Sequence, residues 1–134
     1  MRSAVAVVLL IAAGVAAARP VSGHHSFAAE FDASKRVTLT GVVTKVEWTN
    51  PHVWFFVNVK DEATGKLVNW GAEMGSPNAL NRTGWTATTM TVGMVVTFTG
   101  SRAKDGSNTV NTSAVMVDGK RLGAASSEGP RNEQ

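Results

Sequence analysis

From Val37 onward the apolar residues fall mostly on every second position, in short runs broken by polar turns. A period of two puts alternate side chains on opposite faces and reads as β-strand, not helix. The first predicted strand covers residues 37–48. Val37, Leu39 and Val43 share one parity, Val46 and Trp48 the other, and Gly41 lies near the switch. A glycine at a parity change points to a bulge or sharp coil, the device that bends a strand around a barrel corner. Asn50-Pro51 ends this strand. The second covers residues 52–60, apolar at nearly every position from Val53 to Val57, and residues 61–65 form a polar turn. The third, residues 67–74, alternates cleanly: Val68, Trp70, Ala72 and Met74 oppose Asn69, Gly71 and Glu73. On this pattern Trp70 is core, and Glu73 is an exposed strand carboxylate, with a ligand-binding acid as the alternative.

Ser76-Pro77 then supplies an N-cap followed by proline at the first helical position, and Gly84 a C-cap, which predicts a two-turn helix over residues 77–83. A fourth strand over residues 94–99 turns Met94, Val96 and Phe98 inward. Lys104-Asp105-Gly106 turns the chain into a fifth strand over residues 109–117, which ends at the hairpin signal Asp118-Gly119. Three strands, a short helix and two more strands, with a glycine-kinked first strand, is the element order of an OB-fold. The expected class is all-β: a small five-stranded OB-fold-like barrel with one short helix between strands 3 and 4. A small antiparallel sandwich is the alternative. Residues 37–122 make up this domain, residues 24–36 an N-terminal arm, and the Ala/Ser/Gly/Glu-rich residues 123–134 a frayed tail.

The first 23 residues stand apart. Arg2 precedes an apolar and small-residue run from Ala4 to Ala18. That run is shorter than the roughly 20 residues a membrane-crossing helix needs, and it fits the core of a secretory signal peptide. Cleavage after Ala18 and cleavage after Gly23 both satisfy the small-residue rule. The second is preferred, because Arg19 and Pro20 end the apolar helix and leave a c-region for the peptidase. The expected location is the periplasm or the exterior of a bacterium, with no stable membrane span.

Composition narrows the choice of function. The chain has 134 residues, 43% of them hydrophobic, and no cysteine, which excludes disulfide scaffolds, thiolate metal sites and thiol nucleophiles. The net charge of +3 is partly a leader property, since removing residues 1–23 takes Arg2 and Arg19 from the 13 basic residues. Nothing resembling the basic stripe of a nucleic-acid groove remains, so nucleic acid is not an expected partner. No Gly-x-Ser-x-Gly turn, paired-carboxylate frame or phosphate loop occurs, and the chain is not read as an enzyme.

The stretch His24-His25-Ser26-Phe27-Ala28-Ala29-Glu30-Phe31-Asp32 is followed by Glu47-Trp48-Thr49-Asn50-Pro51-His52, then Trp70, Glu73-Met74-Gly75-Ser76-Pro77-Asn78, Gly84-Trp85 and Ala103-Lys104-Asp105-Gly106-Ser107. Together these resemble a family of exported bacterial proteins classed as a domain of unknown function, over residues 24–122. The resemblance implies export and carries no activity with it. Members of that family place an Ala-x-Ala type cleavage site directly before His-His, where this chain has Val21-Ser22-Gly23.

The candidate chemistry is histidine. The only three are His24, His25 and His52. If the mature chain starts at His24, its amine and imidazole chelate one metal, and a third nitrogen completes an N3 set that suits copper. This set resembles the histidine brace of exported copper proteins. Adjacent residues of an extended chain point apart, so His52 is a better third ligand than His25. Against this stands the plainer reading of a solvated His-His pair and a His52 that caps a turn. A second group, Trp48, Asn50 and Trp54, flanks the first inter-strand loop, a rim suited to a small ligand. The leading expectation is thus an exported binding module for copper or a small ligand. A partner-binding or assembly protein without a metal is the alternative, and a copper-dependent oxidase stands further back.

Overall fold

The structure, a computed structural model, describes residues 27–128. A single helical turn, α1 (Phe27–Glu30), leads into the long strand β1 (Phe31–Glu47). β2 (Trp54–Lys60), β3 (Leu67–Glu73), the short helix α2 (Pro77–Asn81), β4 (Val95–Ala103), β5 (Thr109–Val117) and β6 (Lys120–Gly123) follow. β1 pairs antiparallel with β2 on one side and β4 on the other; β2 pairs with β3, and β4 with β5. A parallel pairing of Gly71–Glu73 with Thr109–Asn111 joins β3 to β5 and closes a ring of five strands. The domain is all-β, barrel-like and OB-like, with the short helix between the third and fourth strands as its element order predicts.

One long strand serves two neighbours because it coils. Residues up to Val42 pair with β4, and residues from Gly41 onward pair with β2. A Cβ on Gly41 would run into the Asn58 carbonyl, so only glycine permits the approach. The register shift itself falls later, between Val43 and Lys45, leaving Thr44 as the extra residue. Gly41 is therefore the close-contact point and Thr44 the bulge that changes parity. Gly100 does the same for β4 against Asn111, beside a second register shift.

The core lies inside the ring: Val43, Val53, Phe55, Val57, Val96, Phe98, Val110 and Val115 are essentially inaccessible to solvent. Phe55 and Phe98 meet edge-to-face across it, with centroids 5.4 Å apart. The α2 segment closes one end with Leu80, Trp85 and Met90, all buried. Ser76 caps α2 through its Oγ, which accepts from Ala79 N at 3.2 Å. The helix stops at Asn81, earlier than expected, and Gly84 takes the left-handed conformation at φ 97° a little further on.

The strand limits depart from the alternation pattern in three places. β1 begins at Phe31, so part of the expected arm belongs to the sheet, where Phe31 pairs with Ala103 across an irregular stretch. β4 runs on to Ala103 because glycine at position 100 is required by the strand contact there and does not mark a turn. The segment after Gly123 is not frayed as far as Glu128. Ala124 is fully buried and donates to Ser113 O at 3.0 Å, and Asn111 bonds both Ser126 and Ser127. Glu128 reaches Arg36 at 3.3 Å. No helix among the described residues is long and apolar enough to cross a membrane, and the expected leader, residues 1–23, lies outside the described residues.

Candidate functional site

Val53, just before β2, and the β2 positions Phe55, Val57 and Val59 face inward and leave Trp54, Phe56 and Asn58 on the outer face. Trp54 pairs with Glu73, and Val53 with Met74 and Gly75 through two backbone bonds, Met74 N to Val53 O and Val53 N to Gly75 O. This register brings His52, one residue before Val53, against the end of β3. Its Nδ1 lies 3.1 Å from the Met74 carbonyl and 3.8 Å from Glu73 Oε1. A carbonyl can only accept, so Nδ1 carries the proton and donates, which makes Nε2 the nitrogen whose lone pair a metal would take.

These side chains line a cavity of about 530 Å³ on the outer side of the ring. Its walls are His52, Trp54 and Glu73 from the β2–β3 end, Ala29, Glu30 and Phe31 from the chain's entry, and Ala103, Lys104, Asp105, Ser107 and Thr109 from the β4–β5 connection. The entry segment is held in place. Phe27 stacks on Phe31 with centroids 5.8 Å apart, Lys104 N donates to Glu30 O at 2.8 Å, and Lys104 Nζ bonds the Ala28 carbonyl. In the β4–β5 turn the Ser107 hydroxyl and backbone N–H both donate to Asp105, holding its carboxyl below the usual carboxylate range. The cavity thus sits between the first inter-strand loop, the β2–β3 face and the β4–β5 loop. That is where OB-folds take ligands.

The predicted site residues divide. His52 and Trp54 come together at this cavity, with Trp54 stacked on Phe56 at 6.4 Å between centroids. Trp48 does not line it: the ring is half-buried and packs against the core. Asn50 stands exposed before a cis peptide to Pro51 and also stays outside the cavity lining. Trp70 is core as expected, with Arg102 over its ring at 5.0 Å, and Trp85 is fully enclosed, donating to Gly123 O. His24 and His25 lie outside the described residues. Among the described residues no three His, Asp or Glu side chains come together to hold a metal.

Glu73 is the correction that matters most. Its strand parity made it an exposed carboxylate, yet it is only 8% exposed. Parity does place it on the outer face. That face is not open there, because α1 and the β4–β5 connection, both distant in sequence, border the cavity it lines. Its position opposite Trp54 in a β2–β3 hairpin was the available signal.

The ring of five strands, the helix between the third and fourth, and a cavity at the mouth of the loops make this a barrel-like, OB-like β domain. The chain belongs to a family of unknown function (DUF6152), whose model matches residues 10–112. The match starts upstream of the expected mature N-terminus, takes in every candidate site residue, and stops within β5. No curated protein and no solved structure matches the chain.

Proposed function

We propose that this protein is an exported, periplasmic binding module that takes copper, through His52 and the N-terminal His24, in the cavity between the first loop and the β4–β5 connection. One observation carries the reading: His52 lines a cavity, with Nδ1 engaged by the Met74 carbonyl, as histidines that bind metal through their other nitrogen are held. The described chain begins at Phe27, beside the cavity-lining Ala29, Glu30 and Phe31. His24 is three residues upstream of Phe27, a reach of about 10 Å at roughly 3.3–3.6 Å per residue. A chain starting at His24 brings an amine and an imidazole nitrogen to His52 Nε2, an N3 set suited to copper. His25 is the secondary candidate, because neighbouring residues of an extended strand alternate in direction. Trp54 and the remaining space favour a small ligand beside the ion.

Copper titrated into protein secreted and processed by its host should bind one equivalent, with a type-2 spectrum showing nitrogen coupling. Binding no tighter than that of free histidine would remove the metal from the reading. A second reading, a partner-binding protein without a metal, draws support from a different surface. Val42 and Val95 pair across β1 and β4, and Val95, Val92 and Met116 stand 66%, 65% and 41% exposed. Sedimentation of the metal-free protein with its envelope partners tests that alternative.

A further inference from the structure

Beyond the cavity, the outer face of the same strands carries a second constellation that needs no metal. Trp54, Phe56 and Asn58 take alternate positions of β2, a row about 13 Å long at roughly 3.3 Å per residue. The planes of the Trp54 and Phe56 rings lie within 18° of each other, and both rings reach across to β3 over Gly71. A Cβ at Gly71 would come 3.3 Å from Phe56 and 3.6 Å from Trp54, so glycine is what lets both rings lie close against the sheet.

Beside the rings stands a polar group whose direction is fixed. Asn58 pairs with Asn69 across β2 and β3, and Thr44, the extra residue of the β1 bulge, bonds to both strands. The Phe56 carbonyl can only accept, so the Thr44 hydroxyl gives it its one proton at 3.2 Å. Thr44 Oγ1 then accepts from Asn69 Nδ2 at 3.2 Å, and the other Nδ2 proton goes to Asn58 Oδ1 at 2.9 Å. That leaves Asn58 Nδ2 as a donor and Asn69 Oδ1 as an acceptor, both without a partner among the described residues. Rings that only shielded Gly71 would need no such oriented pair beside them.

We propose that this face binds a neutral oligosaccharide of equatorially substituted pyranose rings. Such a sugar presents a flat C–H surface, which packs on aromatic rings, and a rim of hydroxyls, which pair with a donor and an acceptor held side by side. The charge fits a neutral ligand. Lys45 and Glu47, opposite Phe56 and Trp54 on β1, pair with each other at 2.6 Å, with Lys45 Nζ 5.6 Å from the Phe56 centroid. Lys60, at the next outward position of β2, has no ion pair among the described residues and stands alone. A single strand of nucleic acid also stacks on rings, but it needs cations along its whole backbone, and this row does not supply them. The proposal does not rest on the metal reading; Trp54 is the residue the two share.

Cellotetraose and chitotetraose, two neutral sugars of this ring shape, should be titrated into the metal-free, host-processed protein and followed by proton–nitrogen NMR. The side-chain amides of Asn58 and Asn69 and the indole of Trp54 should shift together with at least one of them, saturating with a Kd between about 10 μM and 1 mM. Trp54→Ala should weaken that binding about 5- to 100-fold. Asn58→Asp keeps the shape and the bond from Asn69 but removes the free donor, and should weaken it about 3- to 30-fold while the thermal transition stays cooperative. If Trp54→Ala does not fold, Asn58→Asp decides. Failure of both sugars to bind below about 10 mM overturns the proposal. Binding that the variants leave unchanged overturns it too, because the sugar then sits elsewhere. Tighter binding of an oligothymidylate than of either sugar would make the face a nucleic-acid platform and overturn it as well. Copper is absent throughout, so the metal reading stands or falls on its own measurements.

Discussion

The two faces of the β2–β3 hairpin follow the same alternation and do different work. Inward, Val53, Phe55, Val57 and Val59 are buried in the apolar core cluster that the other strands of the ring also supply. Outward, the same strands carry Trp54, Phe56, Glu73 and, at the loop, His52, a mixture that no core would select. The outer face becomes enclosed only at its upper end, where the entry of the chain and the β4–β5 connection border it. What the difference teaches is that fold and proposed site are separable here: one face supplies stability, and the other carries the residues of the proposed site. Substitutions on the two faces should therefore fail in different ways.

The sharpest break comes from the inner face. Phe55→Ala and Trp85→Ala each remove a fully enclosed ring and should cost about 3–5 kcal/mol, read as a lower midpoint in urea unfolding. Trp70→Ala belongs to the same class, its ring being 9% exposed. A loss under about 1 kcal/mol at Trp70 would place that ring outside the core. On the outer face the order of effects reverses. His52→Ala should leave unfolding nearly unchanged while weakening copper by about 10- to 1000-fold, roughly 1.4–4 kcal/mol for one lost ligand. Trp54→Ala should cost less stability than any of the three rings above, because its ring is half-exposed, and should impair only ligands larger than an ion.

The smallest effect concerns acid. Ser107 lowers the carboxyl of Asp105, and Ser34 that of Asp32, both below the ordinary value of 3.8. A carboxyl depressed in the folded state stabilises above its ordinary value, and that contribution is lost as pH falls through the lower folded one. Asp105→Asn should thus slightly flatten the acid limb of the stability curve below about pH 4, and leave the region above pH 5 unshaped by this group. Asp105 is exposed and Asp32 half-buried, so solvent screening keeps the change small. A steep change at Asp105 would mean that the β4–β5 turn supports more of the fold than its exposure implies.

Much of the inner face could be read directly from alternation. Val68, Trp70, Ala72 and Met74 gave the third strand its core side, and Ser76-Pro77 marked the helix. Asp118-Gly119 marked a hairpin whose residues take φ 48° and 75°. What escaped was whatever depends on contact between distant segments. Gly100-Ser101-Arg102 looks like the end of a strand until Asn111 is placed against Gly100, where no Cβ fits. Ala124 looks like tail until Gly75 and Ser113 bond its backbone. Glu73 looks solvated until the cavity is assembled around it. His52 was singled out by its rarity and its loop, and its neighbour Glu73 needed the register of two strands. Trp48 packs against the core and does not line the cavity, and a loop-flanking tryptophan looks the same in sequence whether it turns to the rim or to the core.

The central claim is that the outer-face cavity is a metal site completed by a free N-terminal amine at His24. Copper affinity should therefore be measured for two proteins that differ only at the start: the processed chain beginning at His24, and the same chain with one extra glycine before it. The account predicts one tight equivalent for the first and loss of that chelate in the second, with every side chain intact. Equal affinity for copper in the two proteins would contradict it.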